Sequence, residues 1–347
     1  MNDAADHWIK QLSHAALQLS ADIRLMEVCG SHSVAVARAG IRELLPPNVT
    51  LLSGPGCPVC VASAAFIDKA AALARKGVKL HVFGDLLKIP GSTGTLRGEA
   101  NVKVVYSPDE VLEAAQIDPE HEHVFAAVGF EPTAAVCAAL LDGMKNAKIT
   151  NLSCLTDLKH LRPVLDGLIA DSNIDGFLLP GHVAAITGEA GFAELQAPGV
   201  IAGFEPEDIL KALRLLIEMV AAGENTKIAN LYTQVVKPQG NTVALELMAR
   251  CFDKSSGEWR GIGTVANGCY TIKRDYAEFD ANHRYRLNTM TASDNSDCRC
   301  SEILRGHIMP ENCPLFGGEC TPAHPIGACM VSGEGACMAA FHYRRSV

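Results

Sequence analysis

Residues 49–83 read VTLLSGPGCPVCVASAAFIDKAAALARKGVKLHVF, and this stretch decides the fold class. Two short runs rich in β-forming residues, at 49–53 and 78–83, flank a stretch at 62–77 that has the apolar periodicity of an amphipathic helix. Strands that alternate with helices of this length predict βαβ units and a largely parallel sheet.

The same alternation continues over the first two thirds of the chain. Many of the runs are apolar throughout, which is expected where helices cover both faces of a sheet. The other predicted strands are 23–28, 102–106, 123–130, 149–155, 175–180 and 200–204. We therefore predict an α/β protein with two Rossmann-like parallel-sheet domains, residues 1–118 and 119–210, and a third, cysteine-rich unit at 211–347.

Composition narrows the functional classes. The chain has 347 residues, 48% of them hydrophobic, and a formal net charge of -9 with only 30 Lys and Arg. Nucleic acid and anionic membranes both attract clustered positive charge, so neither is expected as the main partner. The N-terminus lacks the apolar core of an export signal, and no run is long enough to span a bilayer. We predict a cytoplasmic protein, whose 13 cysteines bind metal or exchange electrons.

The C-terminal tail carries the strongest signal. Six thiols fall within 40 residues, with intervening gaps of 1, 12, 6, 8 and 7: Cys298, Cys300, Cys313, Cys320, Cys329 and Cys337. Structural zinc usually binds through closely spaced cysteine pairs, so these gaps favour an iron–sulfur cluster over zinc. A cluster with four ligands leaves two cysteines for a separate redox pair. The spacing does not indicate which four bind.

The segment GPGCPVC at 54–60 contains a Cys-x-x-Cys pair, Cys57 and Cys60, ahead of a predicted helix. Such a pair can close a small disulfide or share a metal, and a nearby helix start favours the thiolate. Dithiol exchange is the leading hypothesis, and a tight turn that happens to contain cysteine is the alternative.

Further candidates follow predicted strands, where open α/β sheets place their ligands. Cys29 is either an exposed, activated thiolate or single metal ligand, or else a packing residue, and His32 is its partner or faces solvent. Glu131 and Glu205 stand in two copies of Gly-Phe-Glu-Pro and either line a site or only begin helices. Two further candidates are His182 and Asp85, the latter with helix capping as its alternative. Four cysteines in apolar surroundings are predicted to be core: Cys137, Cys154, Cys251 and Cys269.

Taken together and in order, these motifs resemble the HypD family of hydrogenase-maturation proteins. The likeness runs nearly end to end, through MEVCGSH, GPGCPVCV, FGDLLKIPGS, VYSP, VGFEPT, DGFLLPGHV, AGFEPEDIL, WRGIG, YAEFDA and CTPAHPIGACMVSGEGAC. The resemblance implies two α/β domains with a C-terminal iron–sulfur domain. It also implies a scaffold that, with a small HypC-type partner, holds iron while the Fe(CN)₂CO group of [NiFe]-hydrogenase is assembled. Cyanide would come from a HypE-type donor, and the hydrogenase large subunit would be served indirectly.

The resemblance also implies roles for individual residues. Cys29 would hold the iron, with His32 close by, and Cys57 with Cys60 would be redox-active. The [4Fe–4S] ligands would be Cys298, Cys313, Cys320 and Cys337, leaving Cys300 and Cys329 as the additional redox pair. The competing hypotheses are an iron–sulfur thiol–disulfide oxidoreductase with no assembly role and a structural zinc module.

Two positions depart from the family pattern. Val34 stands where the family commonly has a second histidine, and Pro132 replaces a hydroxyl residue in the GFEPT segment. The segment at 91–108 is also a few residues shorter than in the family.

Overall fold

A computed structural model describes residues 3–287 and 297–343. These residues form two compact units, each assembled from separate stretches of the chain. Unit 1 takes the described residues of Met1–Cys57, Val164–Asn241 and Cys298–Val347, and unit 2 those of Pro58–Pro163 and Thr242–Asp297. This division differs from the consecutive ranges 1–118, 119–210 and 211–347, because strands far apart in sequence are neighbours in each sheet.

Strands and helices alternate as the sequence predicts. The strands are β1 Ile23–Glu27, β2 Val49–Ser53, β3 Lys79–Val82, β4 Val102–Val104, β5 His123–Gly129, β6 Leu152–Lys159, β7 Gly176–Pro180, β8 Gly199–Ala202, β9 Ile228–Asn230, β10 Phe252–Trp259 and β11 Gly263–Ile272. The helices are α1 Asp3–Ala16, α2 Gly30–Ala39, α3 Ala64–Arg75, α4 Pro108–Ile117, α5 Glu131–Asn146, α6 Leu161–Ser172, α7 Gly181–Thr187, α8 Pro206–Ala221, α9 Thr242–Cys251, α10 Ala281–Arg284, α11 Cys300–Leu304 and α12 Ala336–His342.

The sheet of unit 1 has five parallel strands in the order β2-β1-β7-β8-β9. Its register pairs Leu25 of β1 with Leu51 of β2 on one side and Gly176 of β7 on the other. Helices α1, α2 and α8 bury their apolar faces against this sheet, with Leu12 and Leu213 fully enclosed. Because β1 needs β7 as a neighbour, the first unit is completed only by chain beyond residue 118.

The sheet of unit 2 has six strands in the order β10-β11-β6-β5-β3-β4. Its four strands β3 to β6 are parallel, and β5 is buried at every residue. The hairpin β10–β11 joins β6 antiparallel. This hairpin was not predicted, because half of the residues of β10 are exposed and its sequence FDKSSGEW has no apolar run.

All eight predicted strands are present, and both sheets are dominated by parallel pairs, so the α/β prediction is confirmed. The opening stretch nevertheless supplies strands to different sheets, β2 to the first and β3 to the second. Between them, α3 begins after Ser63, whose hydroxyl accepts from the Phe66 N–H at 3.2 Å. Within the described part of the chain, no helix has the length and apolar character needed to cross a membrane.

Candidate metal and thiol site

The carboxyl ends of the unit 1 strands carry most of the site residues that were predicted to follow strands. Cys29 follows β1, Cys57 follows β2, His182 follows β7 and Glu205 follows β8. Two candidates belong elsewhere, because Asp85 and Glu131 follow β3 and β5 of the other sheet. The single ligand edge expected from sequence is therefore divided between two sheets.

The loops after β1 and β2 touch each other, and a glycine makes this possible. The Gly30 N–H donates to the Gly56 carbonyl at 2.9 Å. A Cβ atom at Gly56 would overlap the backbone nitrogen of Cys29 and stand 2.5 Å from its Cα. Only glycine allows this approach. The approach brings Cys57, the next residue, to the loop that carries Cys29.

Cys29 is buried, with 7% of its surface exposed. Burial, with smaller contributions from the nearby Glu334 and Glu27, raises the pKa of its thiol to about 12. The expectation of an exposed, activated thiolate is therefore wrong. A buried thiol of this kind loses its proton when a cation takes the proton's place, so the site suits a metal ligand better than a free nucleophile.

The carboxyl group of Glu27 contacts the backbone of Cys29. Glu27 is fully buried, and its Oε2 accepts from the Cys29 N–H at 3.3 Å. Its Oε1 accepts from the Ser33 hydroxyl at 2.5 Å and lies 3.9 Å from Arg42. Burial raises the pKa of Glu27 to about 7, although Arg42 opposes the shift. Sequence reasoning missed this residue, although an acid inside the apolar run IRLMEV was a usable signal.

His32 is also buried rather than facing solvent. Its Nε2 lies 2.8 Å from the Gly203 carbonyl, which can only accept, so Nε2 carries the hydrogen. Nδ1 is then an acceptor, and it has no hydrogen-bond partner among the described residues. Burial lowers the pKa of His32 to about 4, so the ring is neutral at physiological pH.

An aromatic stack connects the two histidines of the unit 1 edge. The ring of Phe204 lies 4.9 Å from that of His32 and 4.1 Å from that of His182. His182 is exposed on the outer side of this stack. Phe204 was not among the predicted site residues, because an apolar residue at a strand end carries no chemical signal in the sequence.

The four cysteines assigned to a cluster share one cavity of about 20 Å³ with the other two cysteines of the tail. The Ile326 N–H donates to the sulfur of Cys320 at 3.4 Å, a contact that supports thiolate ligands. A Cβ atom at Gly327 would collide with the sulfur of Cys298. Burial raises the pKa of Cys337, and so do the sulfurs of its three neighbours in the set. These sulfurs therefore converge closely enough to repel one another once ionised.

Among the described residues, no group of three or more His, Cys, Asp or Glu is arranged to hold one metal ion. The cavity in the tail is lined by six cysteines, and a four-iron cluster takes four thiolate ligands, so the residues present match such a cluster in type and number. A disulfide joins Cys300 to Cys329, whose Cα atoms are 6.6 Å apart, and Cys57 and Cys60 are also disulfide-bonded.

The cysteine-rich tail contacts the helix that follows Cys29. The Ser31 hydroxyl donates to Glu334 Oε1 at 2.7 Å, and a Cβ atom at Gly30 would lie 2.9 Å from the Glu334 carbonyl. Next along the chain, a Cβ atom at Gly335 would collide with the carbonyl of Cys329. The segment 334–335 therefore touches both the loop of the proposed iron ligand and the second disulfide.

In unit 2, Glu131 begins α5 as predicted and is buried. Its Oε1 accepts from the Leu161 N–H at 3.0 Å and from the Tyr270 hydroxyl at 3.5 Å, while Oε2 has no partner among the described residues. Burial raises its pKa to about 7, so burial outweighs the favourable helix N-terminus. Glu205 occupies the N-cap position of α8, but its side chain makes no capping hydrogen bond and the residue is exposed. The two copies of Gly-Phe-Glu-Pro therefore place equivalent carboxylates in opposite environments.

Asp85 and the four cysteines predicted to be core all belong to unit 2. Asp85 does not cap a helix, because it lies exposed inside a 3₁₀ helix at Gly84–Lys88 that begins after Phe83. The four cysteines predicted to be core are all buried: Cys137, Cys154, Cys251 and Cys269.

Comparison with known proteins agrees with the motifs. The HypD family model, described as "Hydrogenase formation hypA family", matches residues 3–344. Hydrogenase maturation factor HypD of Azotobacter vinelandii is 39% identical over 340 residues, which cover 93% of this chain and 89% of the relative. Hydrogenase maturation factor HypD of Escherichia coli K12 is 37% identical over 353 residues, covering 98% and 94%. The protein of the same name from Cupriavidus necator is 38% identical over 340 residues, covering 92% and 89%.

Proposed function

Since the chain belongs to the HypD family of hydrogenase formation proteins, we propose that it is the scaffold on which the Fe(CN)₂CO group of [NiFe]-hydrogenase is assembled. In this proposal a HypC-type partner shares the iron, a HypE-type donor delivers cyanide, and the hydrogenase large subunit receives the finished group. In this proposal the assembly takes place in the cytoplasm. The observation that carries the proposal is the Cys29 loop, which meets the Cys57 loop on one side and the cysteine-rich tail on the other.

Cys29 is the ligand that unit 1 offers to the iron, which is the cargo of the reaction. Soft thiolates suit iron that carries cyanide and carbonyl. Glu27 accepts from the backbone N–H of Cys29 and has a pKa close to neutrality, so in this proposal it takes up the proton that the Cys29 thiol loses. Neutral His32 is fixed by Gly203 and offers Nδ1 as a hydrogen-bond acceptor.

A [4Fe–4S] cluster held by Cys298, Cys313, Cys320 and Cys337 would supply electrons one at a time. The chain's own thiols store electrons in pairs, because each S–S bond that breaks takes up two electrons and two protons and yields two thiols. Cys300–Cys329 lies beside the cluster cavity, and Cys57–Cys60 lies beside the Cys29 loop. An electron route from the cavity towards Cys29 is supported by the segment 334–335, which contacts Cys329 on one side and the residues after Cys29 on the other.

The proposal is tested on the Cys29→Ala variant, purified without oxygen together with its HypC-type partner. We expect the infrared bands of iron-bound cyanide and carbonyl to disappear from the complex. Cys137→Ala is the matched control, because it removes a buried thiol of unit 2 that the proposal does not use. Bands that persist at full strength in Cys29→Ala would remove this residue as the ligand.

The oxidoreductase alternative requires a disulfide that an external dithiol can reach. Cys57 and Cys60 are 3% and 0% exposed, which favours an internal electron relay over turnover with a free substrate. Anaerobic analysis of iron and sulfide separates the cluster from a zinc module, since a cubane requires about four of each per chain.

A further inference from the structure

Unit 2 has a pocket at the edge of its sheet opposite to the one where ligands usually bind. It lies at the amino ends of β3, β4 and β5 and has a volume of about 390 Å³. Its polar lining comes from Lys79, His81, Asn101, Lys103, Asp118 and His123, and Ile117 adds an exposed apolar side chain. We call this the amino-edge pocket. None of its residues belongs to the thiol site, so a role for this pocket is independent of the proposed function.

The register of the sheet places four basic side chains on one face. Lys79 of β3 pairs with His123 of β5, and His81 of β3 pairs with Lys103 of β4. Directly paired residues of a parallel sheet share a face, and so do residues two apart on one strand. In a parallel sheet that is covered by helices on both sides, the side chains on such a face are normally apolar. The concentration of basic groups here indicates a binding role rather than core packing.

The hydrogen bonds fix the state of the two histidines. His123 Nε2 lies 3.2 Å from the Asp118 carbonyl, which can only accept, so Nε2 carries the hydrogen. In the neutral ring His123 Nδ1 is then an acceptor, and it receives the hydrogen of His81 Nε2 at 2.9 Å. His81 Nδ1 is left as an acceptor. It is buried, in a residue only 2% exposed, and has no partner among the described residues.

The charges of the amino-edge pocket favour an anion. In the described part of the chain, neither Lys79 nor Lys103 has a carboxylate within 4.0 Å. The single acid of the lining, Asp118, is already bound by the ring of His121 at 2.6 Å. Lys79 interacts with the Asp118 carboxylate only at longer range. The pocket therefore offers two ammonium groups that form no close ion pair, next to a buried atom that needs a hydrogen-bond donor.

We propose that the amino-edge pocket binds a phosphate monoester of a small organic molecule. Its charged oxygens meet Lys79 and Lys103, and its remaining P–O–H group donates to His81 Nδ1. The organic part packs against Ile117, since sites for small molecules have volumes of roughly 300–1,000 Å³ and a phosphate ion alone would leave much of this pocket empty.

The test is calorimetry on the full chain at pH 6, where about half of a phosphate monoester keeps its O–H because its second pKa is about 6. The probes are AMP, glycerol 3-phosphate, inorganic phosphate and phenyl sulfate, the last being an anion without an O–H. We expect at least one monoester to bind about tenfold more tightly than phenyl sulfate, because the sulfate has no O–H to donate to the buried His81 Nδ1. Inorganic phosphate that binds as tightly as both esters would overturn the role of the organic part.

Two variants test the residues. Lys103→Ala, at an exposed position, should weaken ester binding about tenfold, because the variant loses one charge-assisted hydrogen bond to the phosphate. Lys76→Ala, an exposed lysine outside the pocket, should leave it unchanged. His81→Phe should abolish the preference for phosphate over sulfate. Failure of all three phosphates to bind, or binding that Lys103→Ala does not weaken, would refute the proposal even if His81→Phe does not fold.

Discussion

Replacing Glu131 with Gln should remove a pH dependence of stability from unit 2. Burial raises the pKa of Glu131 from its ordinary value of 4.5 to about 7. Between these values the unfolded chain has lost its proton while the folded protein retains it, so stability decreases as the pH rises and the loss is complete above pH 7. At about 1.4 kcal/mol per pH unit, this carboxyl lowers the free energy of unfolding by about 3 kcal/mol between acidic and alkaline pH.

The neutral amide that Glu131→Gln introduces keeps the acceptor that Leu161 uses but does not titrate. This variant should therefore be the more stable protein at pH 8 and should lose its advantage towards pH 5. Urea unfolding can be followed by the fluorescence of Trp259, which is fully buried in unit 2. Because the chain has only two tryptophans, a Trp8→Phe background makes Trp259 the sole reporter.

Glu205 provides the matched control, since it occupies the same place in the second Gly-Phe-Glu-Pro segment but is exposed. Glu205→Gln should leave the pH dependence of unfolding unchanged. If Glu131→Gln and the parent protein lose stability equally between pH 5 and pH 8, Glu131 is not held protonated by burial and the reasoning fails.

Two further predictions concern glycines at which a Cβ atom would displace a site residue. Gly327→Ala pushes against the sulfur of Cys298, so iron and sulfide content after anaerobic purification should decrease, while far-UV circular dichroism stays the same. Gly56→Ala pushes against the backbone of Cys29, so the infrared bands of the partner complex should weaken with cluster content unchanged. Gly333→Ala, which has open space around its Cβ position, serves as the control for both, and an equal loss in that variant would contradict the steric explanation.

The local structure was predictable from sequence because it depends on neighbouring residues. All eight apolar runs are strands, and both prolines of the Gly-Phe-Glu-Pro segments lie in the first turn of a helix, where a missing N–H costs nothing. The hairpin β10–β11 escaped prediction because its solvent-facing strand lacks the apolar pattern on which strand prediction depends.

Strand order and burial were not predictable, because they depend on residues far apart in the chain. Nothing near β1 indicates that β7 is its neighbour, and that pairing determines which stretches form unit 1. The sequence correctly marked Cys29 as a residue at a strand end, but it could not show that Glu27 and Gly56 enclose it. For the same reason the amino-edge pocket could not be foreseen, since its histidines come from two strands 42 residues apart.

The interleaved chain path has a consequence for synthesis in the cell. The Arg24 guanidinium donates to the carbonyl of Gly306, 282 residues later, and the last cysteine of the tail is Cys337 of 347 residues. Protein domains usually fold as they leave the ribosome, starting from the N-terminus. Here the nascent chain must carry β1 and β2 without their complete surroundings until the cysteine-rich tail has been synthesised. We therefore expect chaperones to bind the growing polypeptide, and the proposed iron–sulfur cluster to be loaded only after the tail has been made.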